Sequence, residues 1–196
     1  MRGSVIRSMS FVALALIATG SMDARAVEPA TEAHGGGREA DGFPPPLPED
    51  KLSPWFGGGG GTMGGSVFDL RCAYVGGIVT DIGNYVEGLA LECLDTRGSW
   101  VGQTPHVGGK WSTPVGLTCP RGFHPSGLYG RAGSYVDALG LICTNGMVSM
   151  GVAPMRGGRG GDDFFWECPA GYSFSGVNGR AGSVIDALQI RCKYDP

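Results

Sequence analysis

The chain has 196 residues, a formal charge of −3 and 17% charged residues. That balance, with no basic stripe, argues against a nucleic-acid partner. Glycine is the outlier at 37 residues, well above the usual share of about 7%. Yet 42% of the chain is hydrophobic, which points to a glycine-rich β fold rather than disorder.

The N-terminus reads as a secretory signal peptide over residues 1–26. Arg2 and Arg7 form a positive region, Ser10–Gly20 an apolar stretch, and Ala24–Ala26 a small-x-small cleavage site. The apolar stretch is too short to cross a bilayer, and no other run of about 18 apolar residues follows, so no transmembrane anchor is expected. Export, to a periplasm or beyond the cell, changes how the cysteines are read. An even count of six in an oxidising compartment predicts disulfides rather than a metal site or a catalytic thiol. His34, His106 and His124 follow no ligand spacing, and no cofactor is implied. Residues 27–56, with "HGGG" and "PPPLP", read as a disordered spacer. Residues 57–196 remain as one domain.

That domain repeats three times, in a register set by Cys72/Cys93, Cys119/Cys143 and Cys168/Cys192. Each repeat opens on an alternating run: Phe68, Leu70, Cys72; Val115, Leu117, Cys119; Phe164, Trp166, Cys168. Each closes on another: Leu89, Leu91, Cys93; Leu139, Leu141, Cys143; Leu188, Ile190, Cys192. Period two marks strands with these residues facing inward. If opening and closing strands of one repeat are neighbours, the disulfides are Cys72–Cys93, Cys119–Cys143 and Cys168–Cys192. An all-β threefold repeat of this size fits a β-prism or a β-trefoil; a propeller needs at least about four blades.

Before each closing strand stands a loop. "GRAGSYVDALGLIC" (Gly130–Cys143) and "GRAGSVIDALQIRC" (Gly179–Cys192) are near-copies, and "GNYVEGL" (Gly83–Leu89) is a divergent third. As pure architecture, glycine supplies a tight turn, Arg131 and Arg180 cover it, and Asp137 and Asp186 accept from turn N–H groups. Chemically, a carboxylate beside backbone amides also suits vicinal hydroxyls: it accepts hydroxyl hydrogens while the amides donate to hydroxyl oxygens. Tyr135 and Tyr85 add flat apolar faces. Glycine clusters precede the opening strands: Gly57–Gly65, the weaker "VGGKW" from Val107, and Gly157, Gly158, Gly160 and Gly161. No Gly-Lys-Ser/Thr makes any of them a phosphate loop.

Gly-Gly-x-Gly-Gly before a strand, then Gly-x-Tyr-x-Asp-Ala-Leu before the closing strand, resembles the jacalin-related lectins in their threefold-repeated, griffithsin-like form. Gly108–Gly127 and Cys168–Gly176, each closed by Asp-Ala-Leu and a cysteine, are similar to vitelline membrane outer layer proteins, which carry one disulfide per repeat. Both resemblances imply the β-prism I fold of three antiparallel sheets, over about 57–196, in preference to the trefoil. The lectin resemblance implies sugar binding. Gly133, Ser134, Tyr135 and Asp137 match its loop. Gly182, Ser183 and Asp186 match with Val184 in place of the tyrosine, and Gly83 and Tyr85 match with Glu87 in place of the aspartate. The vitelline resemblance implies instead a structural module of an envelope or matrix. A hydrolase or transferase acting on glycans is the third class. Its carboxylate pair would have to be Asp162 and Asp163, which are adjacent and would point to opposite faces of a strand, so neither those two nor any other residue is assigned as catalytic.

Overall fold

The computed structural model describes residues 47–61, 64–109 and 111–196. The expected signal peptide and most of the expected spacer lie outside the described residues. Among the described residues, fourteen strands form three antiparallel sheets, each built on one long hairpin. The first sheet carries β4 (Tyr74–Ile82) and β5 (Val86–Leu94), the second β9 (His124–Ala132) and β10 (Val136–Thr144), the third β13 (Tyr172–Ala181) and β14 (Ile185–Tyr194). This is the prism and not the trefoil.

The sheets are not the sequence repeats. The opening strand of each repeat joins the hairpin of another. β3 (Ser66–Arg71) pairs with β13 in the third sheet, β8 (Val115–Thr118) with β4 in the first, and β12 (Asp162–Glu167) with β9 in the second. The expectation that the two cysteine-bearing strands of one repeat are neighbours is therefore wrong. The cysteine pairs nevertheless meet, at Cα separations of 5.1 Å (Cys72–Cys93), 5.8 Å (Cys119–Cys143) and 5.7 Å (Cys168–Cys192). Each bond crosses from the end of an opening strand in one sheet to a closing strand in the next. The three bonds thus staple third sheet to first, first to second and second to third. Chain entropy alone makes each loop closure worth about 3 kcal/mol.

The other edge of each sheet corrects the domain boundary. In the first sheet it is made by β6 (Trp100–Gln103) and β7 (Val107–Gly108), in the second by β11 (Ser149–Gly157). In the third it is made by β1 (Lys51–Leu52) and β2 (Phe56–Gly57), both on β14. Residues 51–56, expected as the end of the spacer, are thus the missing edge of the last repeat. Ser53 is buried and its hydroxyl accepts the Ile190 N–H at 2.8 Å. Thr104 does the same for the Leu91 N–H at 3.0 Å. The signal was present in the sequence: "SPWFGG" (from Ser53), "TPHVGG" (from Thr104) and "APMRGG" (from Ala153) are the same element.

The inward faces of the closing strands meet in one core. Val86, Leu89, Leu91, Val136, Leu139, Leu141, Ile185, Leu188 and Ile190 are fully buried. Removing one such leucine side chain costs about 2–5 kcal/mol. Phe68, Leu70 and Leu117 are buried as the period-two pattern predicts, but Val115 is exposed. It is the first residue of a short edge strand, whose core contact is made by Leu117.

Candidate functional site

The three hairpin turns lie between β4 and β5, β9 and β10, and β13 and β14, and they share one geometry. The N–H of Gly83 donates to the Tyr85 carbonyl at 3.1 Å, that of Gly133 to Tyr135 at 2.9 Å, and that of Gly182 to Val184 at 3.0 Å. The acid follows two residues later, and in each hairpin it is a bulge. Val136 faces Ala132 and Ala138 faces Arg131, so Asp137 has no partner across the ladder. The same register break falls at Asp186, between Ile185 and Ala187, and at Glu87, between Val86 and Gly88. A bulge re-aims a side chain. Here it turns the acid away from the core, which Val86, Val136 and Ile185 fill.

The glycine clusters close over these acids. Gly57, Gly108 and Gly157 occupy matching register positions opposite Ala187, Gly88 and Ala138, all at positive φ (85°, 101° and 134°). A Cβ there would stand 2.5, 2.3 and 2.2 Å from the carbonyl oxygens of Asp186, Glu87 and Asp137. Only glycine satisfies both conditions. Further along, the Gly65 N–H donates to Asp186 Oδ2 at 2.8 Å. A Cβ on Gly160 would lie 2.3 Å from Asp137 Oδ1, and one on Gly161 2.6 Å from its Oδ2. Asp137 and Asp186 are each only 6% exposed, their carboxylates set among glycine backbone.

Arg131 and Arg180 do not cover their own turns. Arg131 donates to the carbonyls of Gly160 (2.8 Å) and Gly161 (2.6 Å) and pairs with Asp163 at 2.8 Å. Arg180 donates to the carbonyls of Gly61 and Gly65, both at 3.0 Å. Both therefore pin the glycine loop facing the acid. Asp162, the first residue of β12, is exposed, and Asp163 belongs to the Arg131 pair.

The expected site residues converge at one end of the prism, but across repeats. Each glycine cluster touches the turn of a different sheet. The Gly58 N–H donates to the Ser134 carbonyl at 3.2 Å; a Cβ on Gly158 would meet the Asn84 carbonyl at 2.0 Å; one on Gly109 would meet Ser183 at 2.6 Å. Consequently a cleft of about 540 Å³ is lined by Gly58, Gly59 and Gly64 of the first cluster, Gly133, Ser134 and Tyr135 of the second turn, and Asp186 of the third sheet. Tyr135 thus serves the cleft of Asp186, an association the sequence reading missed because it kept each loop to itself. Tyr135 and Tyr85 are both partly exposed and meet edge to face, ring centres 5.2 Å apart.

In the first sheet Asp81 stands where the second and third sheets have Arg131 and Arg180. Burial opposes its charge, but N–H groups of Ser112, Thr113 and Ile82 and the Ser112 hydroxyl outweigh it and hold its carboxyl below the usual range.

No family model and no curated protein matches the sequence. Solved structures do match in fold. A mannose-binding lectin from Champedak is 16% identical with a TM-score of 0.59, covering 74% of this chain and 98% of that one. A mannose-binding jacalin-related lectin from Ananas comosus is 18% identical with a TM-score of 0.57, covering 74% and 98%. The Calystegia sepium agglutinin is 20% identical with a TM-score of 0.57, covering 76% and 100%. The described domain has the β-prism fold of the jacalin-related lectins.

Proposed function

We propose that this is an exported carbohydrate-binding protein that holds sugar hydroxyls at the turn end of the prism. The single observation that carries this reading is the cleft at Asp186. There a carboxylate, a run of glycine backbone and the face of Tyr135 converge on one open space. A carboxylate offers about four acceptor positions, and Gly65 occupies one. Tyr135 supplies the apolar surface on which a pyranose ring packs. One site is Asp186 with Gly182, faced by Gly133, Ser134 and Tyr135 of the second turn; the other is Asp137 with Gly157, Gly158, Gly160 and Gly161, faced by the turn that carries Tyr85. Glu87, with Gly83 of its own turn and Ser183 of the third, forms the related third place. The sugar is held by protein groups alone, with no metal bridge and no bond cleavage. Three disulfides support export, since such bonds persist in oxidising compartments. Similar structures include the Calsepa lectin in complex with a biantennary N-glycan and mannose-binding lectins, which makes mannose-bearing glycans the first probes.

The test is a glycan array run with the wild-type chain and an Asp137→Asn/Asp186→Asn variant. Binding by the first and loss by the second supports the reading. Unchanged binding in the variant overturns the assignment of residues. The hydrogen bond from Gly65 to Asp186 favours a second reading, in which the acids only brace the glycine loops of a structural envelope or matrix module. That reading predicts no glycan binding and a lower melting temperature for the variant.

A further inference from the structure

We propose that the base of the prism, at the end opposite the turns, holds a separate ligand site: a cavity where the three sheets meet, which takes a small protonated amine on an apolar body. The proposal does not rest on the carbohydrate reading. β4 and β9 are 9 residues long and β13 is 10, which puts about 25–30 Å of strand between the two ends.

The cavity follows from how the three hairpins begin. Val75, Pro125 and Phe174 hold equivalent places, each opposite the closing-strand cysteine of its own hairpin: Cys93, Cys143 and Cys192. Just past them each hairpin breaks register, at Gly76, Ser126 and Ser175. Such a bulge bends its strand. Val75, Pro125 and Phe174 are all buried. One residue earlier stand Tyr74, His124 and Ser173, paired with Leu94, Thr144 and Lys193. Places that the threefold plan makes equivalent thus carry a phenol, an imidazole and a hydroxyl. These six residues, together with Leu94, Asp95 and Asp195, line one cavity of about 290 Å³. That is close to the lower limit for small-molecule sites. All three sheets contribute to it, so it is a product of the closed prism and not of any one hairpin.

The chemistry of the lining selects a cation. Among the described residues, two carboxylates line the cavity and no lysine or arginine does. Asp195 accepts the hydroxyls of Tyr74 and Ser173. Asp95 Oδ1 accepts the N–H groups of Arg97 and Ser99 at 2.8 and 2.9 Å. A carboxylate offers about four acceptor positions, so both acids keep capacity for a ligand. The Ser173 hydroxyl, helped by Tyr74 and Lys193, outweighs burial and holds the Asp195 carboxyl below the usual range. The Lys193 ammonium stands over the Tyr74 ring, 3.7 Å from its centre. With the bond to Asp195, this fixes the phenol before a ligand arrives.

An ammonium has three donors and no acceptor, which matches two carboxylates. Its hydrocarbon body matches Val75, Leu94, Pro125 and Phe174. An anion would meet two like charges, and a polyol would set hydroxyls against an apolar wall. A further cavity of about 430 Å³ shares His124, Pro125, Ser173 and Phe174, so a longer arm on the amine has room beyond His124.

The experiment is an amide-shift titration of the isotope-labelled protein with three probes of one shape: phenethylamine, phenethyl alcohol and phenylacetate. At neutral pH they are cationic, neutral and anionic. Saturable shifts with the amine are expected at Val75, Leu94, Ser173 and Phe174, and none at Gly64, Gly65, Ser134 or Tyr135. The alcohol should bind at least about tenfold more weakly, and the acid not at all. Asp195→Asn should reduce the amine to the affinity of the alcohol, and Asp95→Asn should weaken it in part; unmoved Gly64 and Gly65 signals show that each variant is folded. The comparison of probes needs no substitution, so it decides even where a variant does not fold. Equal affinity for amine and alcohol overturns the role of the carboxylates: the acids then only tie down the strand ends. No saturable shift at millimolar amine, or shifts confined to the turn end, overturns the site.

Discussion

Gly160→Ala probes the proposed Asp137 site without touching its acid. Gly160 is not among the positive-φ glycines, so alanine costs the backbone little there. The new Cβ, however, would stand 2.3 Å from Asp137 Oδ1, where ordinary contact begins at 3.4 Å. The carboxylate has to retreat by about 1 Å, and a hydrogen bond of about 2.8 Å stretched that far is no longer one. Two charge-assisted bonds at about 1.5–3 kcal/mol each are then lost, together about 3–6 kcal/mol or roughly a 10²–10⁴-fold weakening. The assay is an amide-shift titration of the isotope-labelled protein with methyl α-mannoside, read at Gly161 and Tyr85. Gly116→Ala, whose Cβ meets nothing within 4 Å, is the matched control and should bind as wild type. If Gly160→Ala binds like the control, the Asp137 carboxylate is not what the sugar contacts.

Further outcomes follow from the same geometry. Replacing Cys168 and Cys192 by serine should cost about 3 kcal/mol, lowering the melting temperature by about 6–12 °C for a domain of this size; calorimetry checks it. Ser53→Ala removes the acceptor for the Ile190 N–H and should cost about 1–3 kcal/mol in a denaturant melt, whereas a disordered spacer would show no change. Asp81, whose carboxyl is held below its usual range, contributes stability that is present above the unfolded value of about 3.9 and lost as pH falls through the folded one. Asp81→Asn should therefore be less stable at neutral pH and lose less between about pH 5 and pH 2, read by thermal melts across that range. EDTA should leave glycan retention unchanged, since the proposed site uses no metal; a chelator-sensitive signal would refute that.

Much of the fold was legible because its causes are local. The alternation of Leu139, Leu141 and Cys143 marks a strand with one buried face in any context, and its recurrence marks the threefold plan. The near-copied loops identify Asp137 and Asp186 for the same reason: a bulge and its glycine turn are written in consecutive residues. The cysteine pairs were found through the repeat, but by a wrong route, because period two says which face a residue takes and nothing about which strand lies alongside. The spacer boundary failed likewise. Lys51–Phe56 has Pro54 and no period-two run to announce a strand, and it supplies two short ones only where β14 offers an unpaired edge.

Composition and pattern alone therefore determined a disulfide-bonded, threefold β domain with acidic glycine turns. Tertiary structure decided how those turns are shared. Rotating each opening strand into another repeat's sheet sets the glycine cluster of one repeat over the acid of a second and beside the tyrosine of a third. Asp186 and Tyr135 are 51 positions apart and Gly64 lies further still. No local pattern links residues whose proximity is a consequence of how three sheets close around a common core.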